Sequence, residues 1–437
     1  MPMSTSQKVL RYRWLIFGVM ALTYLSAFFH RVCPAVVAVD IQESFGISAG
    51  LVGLLASTYF YSYAAIQFPA GLLSDTLGPR KSVTVFVLLA AVGSILFGLS
   101  PTLEIALLGR VLVGFGAGMA FTPTMKILSG WFRVTEFTRM NGILLSVGGL
   151  GALTAAAPLA FITGLVGWRT TFELIGFGTL VLAGLVWLVV RNTPGDMGWP
   201  SLEEIDPVYG KTLGPSRRIP LWEGVRQVLS EKYFWAAAFW SVFSMGVFFS
   251  FGGLWAGPYL IHVYGMSKAE AGGVLNMLSV GILVGSPIMA YLSERVFRSR
   301  KKVLIASSGL LTLVLLFLNL FPQGLPRPAL YLLFLLMSAT ALAPGVVSIT
   351  IVKELFPVEI TGTSVGTVNL FPFVGGGVLQ LVAGLLLDSY PQTASGAYPI
   401  EAYSRILLVF LGGGLIAFLC TFLMKETYPH RHGSRRG

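Results

Sequence analysis

The sequence predicts an all-α membrane protein of twelve transmembrane helices arranged as two six-helix, pseudo-symmetric bundles, and three observations predict it. Hydrophobic residues make up 55% of the 437 positions and charged residues only 11%, with a mean hydropathy of +0.77. A soluble chain carries about a quarter charged residues. Apolar runs of about 18 or more residues, long enough to cross a bilayer core of ~30 Å at ~1.5 Å per helical residue, recur along the chain. Short motifs of the first half return in the second after about 220 residues.

In order, the runs predict spans at 14–39, 49–70, 82–101, 104–128, 140–165 and 168–190, and again at 233–262, 269–293, 303–321, 328–352, 363–388 and 403–424. Residues 1–190 therefore read as one six-helix bundle, 191–232 as a polar cytoplasmic linker, 233–424 as the second bundle and 425–437 as a basic cytoplasmic tail. Lys8, Arg11 and Arg13 precede the first run, which has no small-residue cleavage site after a short core, so a first transmembrane helix is expected rather than a removed signal peptide.

Orientation follows from charge. Arg80 and Lys81, Arg133 and Arg139, Arg217, Arg218 and Arg226, the run Arg295, Arg298, Arg300, Lys301 and Lys302, and the tail fall in alternate loops. The other loops hold little beyond Arg169, Lys268, Arg327 and Arg405. Basic loops stay inside, which predicts a multi-pass inner (plasma) membrane protein with both termini in the cytoplasm.

The net charge of +11 is carried by short loops between apolar runs, as the positive-inside rule expects, which argues against nucleic acid as a partner. Cys33 and Cys420 lie far apart within apolar segments, so neither a disulfide framework nor a metal site is supported. No GxxxxGK[ST] phosphate loop is present and no Ser/His/Asp or Cys/His set falls at a sensible depth. Neither an enzyme nor a nucleotide-driven pump is expected, and no cofactor.

The repeat is carried by GLLSDTLGPRK (Gly71–Lys81) after span two against AYLSERVFRSRKK after span eight, which pairs Asp75 with Glu294. WFRVTEFTRMNG after span four likewise echoes LFPVEITGTSVG after span ten. GLLSDTLGPRK resembles the loop motif G-x-L-x-D-x-x-G-R-[RK]-[RK] of the major facilitator superfamily, with Pro79 set between Gly78 and Arg80 and with Thr76 in place of a base. RVLVGFGAG (Arg110–Gly118) is similar to that superfamily's fourth-helix signature. The resemblance spans the chain from first to last helix and implies alternating access by two rocking halves.

A narrower resemblance, to the organophosphate and organic-anion branch with its sugar-phosphate permeases, lies in FFHRVCP, FTPTMKILSGWF and RNTPGDMGWPSLEEI. It implies that Arg31 matches a first-helix arginine that binds substrate phosphate, and Lys126 a basic position of the fourth helix. Gln67 and Phe249 stand where the antiporters carry a lysine and an arginine, and no histidine occurs near Leu145, which argues against phosphate-for-phosphate exchange.

For the substrate site, Arg31 is the leading candidate, since a charge at mid-bilayer costs roughly 2.5–3.5 kcal/mol and is kept where it lines a cavity. Snorkelling to the outer interface is its alternative. Lys126, five residues before Trp131, is a candidate second base or an interface lysine. Tyr59, Tyr63 and Gln67 share one helical face, and Phe248, Trp255 and Tyr259 form a second aromatic stripe with Ser244 on its line. Both stripes are open to site or packing roles. Asn276 and Asn369 are neutral groups for a ligand's oxygens or for a neighbouring helix.

For the gate, Gly71 and Gly78 permit a tight turn. Asp75 is expected to accept from amides at a helix N-terminus of the other half. Arg80 and Lys81 are expected to pair with Glu136; Arg110 and Glu294 complete the set.

No acid sits clearly in mid-membrane, so exchange, or a proton carried on the substrate, is expected over a carboxylate proton relay. The reading is a secondary transporter, antiporter or symporter, of a small organic anion in the lipid bilayer, acting as a monomer. A hydrophobic-compound or drug exporter and a non-transporting substrate sensor, both of the same fold, are the rivals.

Overall fold

The computed structural model describes residues 5–205, 221–357, 360–393 and 396–428. Every regular element among them is a helix. At a few helical positions, Gly71 and Asp75 among them, only the backbone is described. Arg217, Arg218 and the tail beyond Tyr428 lie outside the described residues.

Among the described residues, eleven helices or helix pairs are long and apolar enough to cross a membrane. One of them, Arg139–Val189, is 51 residues long and contains Gly167 at φ 78° and ψ 160°, a conformation that ends one helix and starts another. It is spans five and six in one count, and the total among the described residues is twelve.

Proline decides where the spans break. Pro34 lacks an N–H, and its ring excludes the carbonyl of His30, so span one divides into Thr5–Val32 and Pro34–Phe45. Span four divides into Leu103–Gly118 and Thr122–Trp131 at Pro123, and span ten into Arg327–Ala341 and Gly345–Leu355 at Pro344. Span five breaks before Pro158 and span eleven, Thr361–Val368 then Phe371–Asp388, before Pro372. Span seven carries a wide π-helical segment, Phe248–Trp255, immediately before Pro258. Spans one and seven, four and ten, and five and eleven thus break at equivalent places, and Pro69 in span two corresponds to Pro287 in span eight. Two six-helix units sharing one plan account for this pattern.

The start of span one, the stretch after span twelve and the described basic loops share one face, called here the basic face. Tyr12 donates to the Val189 carbonyl at 2.7 Å, and Glu426 of the tail accepts from the Arg300 and Lys301 amides at 2.9 and 3.3 Å. In the linker, helix Leu221–Ser230 sets Gly224 against Ile360 and Thr363 of span eleven.

At the far face the halves are packed shut. A Cβ on Gly257 of span seven would lie 1.7 Å from the Ala35 carbonyl of span one, so only glycine admits that approach. Asp388, the last residue of span eleven, accepts the amides of Ala49 and Gly50 at the start of span two, at 2.7 and 2.8 Å. Tyr398 donates to the same carboxylate at 2.9 Å and also holds Gln42 at 3.2 Å, while Lys268 pairs with Asp40 across the halves. At the basic face Arg13 pairs with Glu136 inside the first half, and Arg300 with Glu354 and Glu294 inside the second.

Candidate functional site

The break at Pro34 fixes the centre of the molecule. It frees the His30 carbonyl from its helical partner, and Cys33 Sγ and Arg110 turn to that oxygen, each at 3.5 Å. Arg31 sits beside the break, 5% exposed, and points between the two halves. Its guanidinium carbon lies 4.2 Å from the Phe28 ring centroid, 4.9 Å from Tyr63, 4.9 Å from Phe373 and 5.6 Å from Phe249.

Two of these rings belong to the first half, in spans one and two, and two to the second, in spans seven and eleven. Tyr63 and Phe373 approach to 4.3 Å across the divide, and Phe249 stacks on Phe373 at 5.6 Å. No carboxylate among the described residues pairs with Arg31, and its Nε is buried without a hydrogen-bond partner. A buried charge is ordinarily paired. Ring faces contribute about 0.5–2 kcal/mol each and hold a cation without neutralising it. The cage is therefore a preformed, electropositive point able to take an anion, at the divide between the halves.

Two neutral groups near the cage are also unsatisfied. Gln67, one turn from Tyr63 along span two, has a buried Nε2 without a partner. Gln380 donates from Nε2 to the Phe249 carbonyl at 2.9 Å and leaves its Oε1 buried and unpaired. Tyr59 is fully buried and donates to the Ala27 carbonyl at 3.1 Å, with the Arg110 guanidinium 5.1 Å from its ring.

Several expected site residues lie elsewhere. Lys126 is exposed and its Nζ donates to the Ser74 carbonyl at 3.1 Å. Ser74 is eleven residues beyond Tyr63, about 16 Å along the same helix, so Lys126 is not a second base beside Arg31 in this conformation. The reason is the chain break after Gly118, which carries Thr122–Trp131 toward the basic face. Trp255 is packed away with its indole N–H donated to the Gln380 carbonyl at 3.0 Å, and Tyr259 donates to the Pro322 carbonyl at 2.6 Å. The stripe they were expected to form assumed an unbroken α-helix, and the π segment shifts its register. Asn276 accepts the Ala157 amide at 3.4 Å, a bond between spans eight and five. Asn369 closes helix Thr361–Val368 with its own backbone N–H.

The gate set also divides. Glu136 does not pair with Arg80 or Lys81: it takes both ends of the Arg13 guanidinium, at 2.8 and 3.1 Å, and the Arg133 amide at 3.1 Å. Arg80 instead donates to the Trp187 carbonyl and lies 4.4 Å from that residue's ring, while its amide donates to Asn192 Oδ1 at 2.9 Å. Lys81 is exposed. Gly78 has φ 80° and makes the turn between spans two and three. Arg110 is not at the gate: it is 2% exposed within the first half, behind Arg31, against His30, Tyr59 and Phe97. Glu294 ends span eight 3.7 Å from Arg300. The helical backbone reaches through Gly71 and Asp75, and the role expected of the Asp75 side chain lies outside the described residues.

Sequence reasoning missed Phe28, Phe373 and Asp388. Phe28 stands three residues before Arg31, the spacing that shares a helix face, and was legible on that ground. Phe373 carried no signal of its own, because its partner is 342 positions away. Asp388 was legible by asking which acids end the paired spans two and eleven.

The model of the Major Facilitator Superfamily matches residues 16–371 and 255–437. The chain is 25% identical over 430 residues to a probable sulfoacetate transporter of Cupriavidus necator, covering 97% of each. It is 26% identical over 393 residues to the glycerol-3-phosphate transporter of Bacillus subtilis, covering 85% of each. Among solved structures, the bacterial homologue of the lysosomal transporter Spinster, inward-facing and unoccupied, superposes with a TM-score of 0.72 at 18% identity, over 94% of this chain and 98% of that one. The D-xylose–proton symporter superposes at 0.74 and 15% identity, over 96% and 98%.

Proposed function

The chain belongs to the Major Facilitator Superfamily, and from that premise we propose that it is a secondary active transporter of a small organic anion, with Arg31 as the anion's anchor. Its relatives are transporters and not enzymes, and several are named for anionic cargo: sulfoacetate, glycerol 3-phosphate and D-galactonate. The observation that carries the reading is the cage. A buried guanidinium with no carboxylate partner, held by rings from both halves, is a charge kept for a ligand that comes and goes.

Alternating access follows from the same geometry. An arriving anion gives the guanidinium a directional, charge-assisted partner, worth more than the rings it displaces. Phe249 and Phe373 then close on the anion or withdraw from it as the second half rocks against the first. The site so opens to one face at a time. The state described is shut at the far face by Asp388, the Lys268–Asp40 pair and the glycine contacts of spans one, two, seven and eleven.

The basic face is cytoplasmic in this account, which makes the described state inward-facing; the protein sits in the inner membrane and works as a monomer. The halves are residues 1–190 and 233–424, joined by the linker 191–232 and followed by a cytoplasmic tail. Asp75 ends span two as Asp388 ends span eleven. The two serve as opposed latches, Asp388 on the N-terminus of span two outside and Asp75 on the N-terminus of span eleven inside. Lys126, Arg80, Lys81 and Glu294 belong to the inner gate; Gln67, Tyr59 and Tyr63 line the approach to Arg31.

The test is flux. Purified protein in proteoliposomes, loaded with one of a panel of carboxylates, sulfonates and phosphate esters, should exchange a labelled anion across the bilayer. Binding in detergent without counterflow would instead make the protein a sensor. Flux of neutral amphiphiles that ignores the charge of residue 31 would make it an exporter of hydrophobic compounds.

A further inference from the structure

The cage sets a charge limit on its cargo. The ionisable side chains facing Arg31 are the phenols of Tyr63, Tyr59 and Tyr24, all from spans one and two. The second half contributes Phe249, Phe373 and the amide of Gln380. A phenol carries no charge between pH 5 and 8. The site therefore offers one positive charge, and the second half sets the rings of Phe373 and Phe249, not a second base, 4.9 and 5.6 Å from it.

A ring presents its negative face to a cation, and that face repels an anion. Lys126 is committed at the level of Ser74, and Arg110 is turned away to the His30 carbonyl. A ligand with one delocalised negative charge is neutralised here; one with two buries a charge without a partner, which costs several kcal/mol in a dry site.

Resting on the reading of Arg31 as anchor, we infer that the substrate is a singly charged organic anion, a carboxylate or sulfonate, and that Phe249 is the specificity-determining residue that turns away phosphate-ester dianions. The unpaired Nε2 of Gln67 and Oε1 of Gln380 supply neutral contacts for the rest of such a molecule.

One probe tests this without touching the protein. Glycerol 3-phosphate is a monoanion below its second pKa of about 6 and a dianion above it. If only the monoanion is accepted, its apparent affinity rises about 30-fold from pH 7.5 to pH 5, following the monoanionic fraction. Isethionate, a sulfonate ionised throughout, serves as the control and should bind equally at both values. Equal or tighter binding of glycerol 3-phosphate at pH 7.5, or an isethionate affinity that rises by the same factor, overturns the inference.

Phe249→Arg is the complementary variant, expected to bring glycerol 3-phosphate binding at pH 7.5 to the level of isethionate or above. Unchanged discrimination in a folded Phe249→Arg protein counts against Phe249. A parent that binds none of the anions at either pH sinks the anchor reading itself, a different failure from a parent that binds dianions well.

Discussion

Replacing Asp388 by asparagine should open the far face. The carboxylate accepts three hydrogen bonds, from the Ala49 and Gly50 amides at 2.7 and 2.8 Å and from the Tyr398 hydroxyl at 2.9 Å, and it sits on the N-terminus of span two. Bonds to a charged group contribute about 1.5–3 kcal/mol each when desolvated. Asp388 is exposed, which screens them, and asparagine keeps one accepting oxygen, so a net loss of about 2 kcal/mol is expected. That is about 30-fold in the ratio of far-face-closed to far-face-open protein.

Nitroxides at Glu43 and Gln323, both exposed at the far face on opposite halves, report the change by pulsed electron–electron resonance after Cys33 and Cys420 are replaced by serine. The variant should add a longer-distance population that the parent lacks. An unchanged distance distribution, in protein that still folds and binds, would refute the latch.

Two further substitutions probe the same packing and the basic face. Gly53→Val places a Cβ 2.6 Å from the Gln380 carbonyl, so span two and span eleven cannot close at the far face; the same label pair should read a permanently open distance and exchange should stop, whereas normal exchange would contradict the close approach. Glu136→Gln bears on stability against pH. Glu136 lies just outside the candidate span that begins at Arg139. Burial alone would raise its pKa, but the Arg133 amide and the Arg13 guanidinium outweigh that and hold it below the usual carboxylate range. A lowered native pKa gives stability that is complete above the unfolded value near 4.5 and is lost as pH falls through the native one. The parent should therefore be more stable than the variant at pH 7, by about 1 kcal/mol after screening, with the gap closing below pH 4.5. A gap that stays constant from pH 7 to pH 3.5 would contradict the pairing.

The fold was legible because the bilayer imposes it: run length, loop charge and the repeat of Asp75 at Glu294 each reflect a constraint that acts along the chain. The site was legible only as far as local chemistry reached. Arg31 announces itself by its depth, and Tyr63 by sharing a face with Gln67. The partners from the second half did not, since nothing in the sequence near Phe249 or Phe373 says which residue of the first half it meets. Lys126 and Trp255 were misplaced for one reason: the expectation treated each span as a continuous helix, and Pro123 and Pro258 break the register just where the roles were assigned. Glu136 was matched to the wrong arginine because Arg13, 123 positions away, competes for it with better geometry than Arg80.

The central claim is that Arg31 binds the transported anion. Titration calorimetry of isethionate or gluconate into purified parent, Arg31→Lys and Arg31→Ala tests it directly. Truncating one partner of a desolvated charge pair costs about 2–5 kcal/mol, so Arg31→Ala should weaken the anion the parent binds by at least about 30-fold. Arg31→Lys should fall between, keeping the charge and losing the planar fork that stacks among the rings. Equal affinity in the parent and in folded Arg31→Ala would contradict the account.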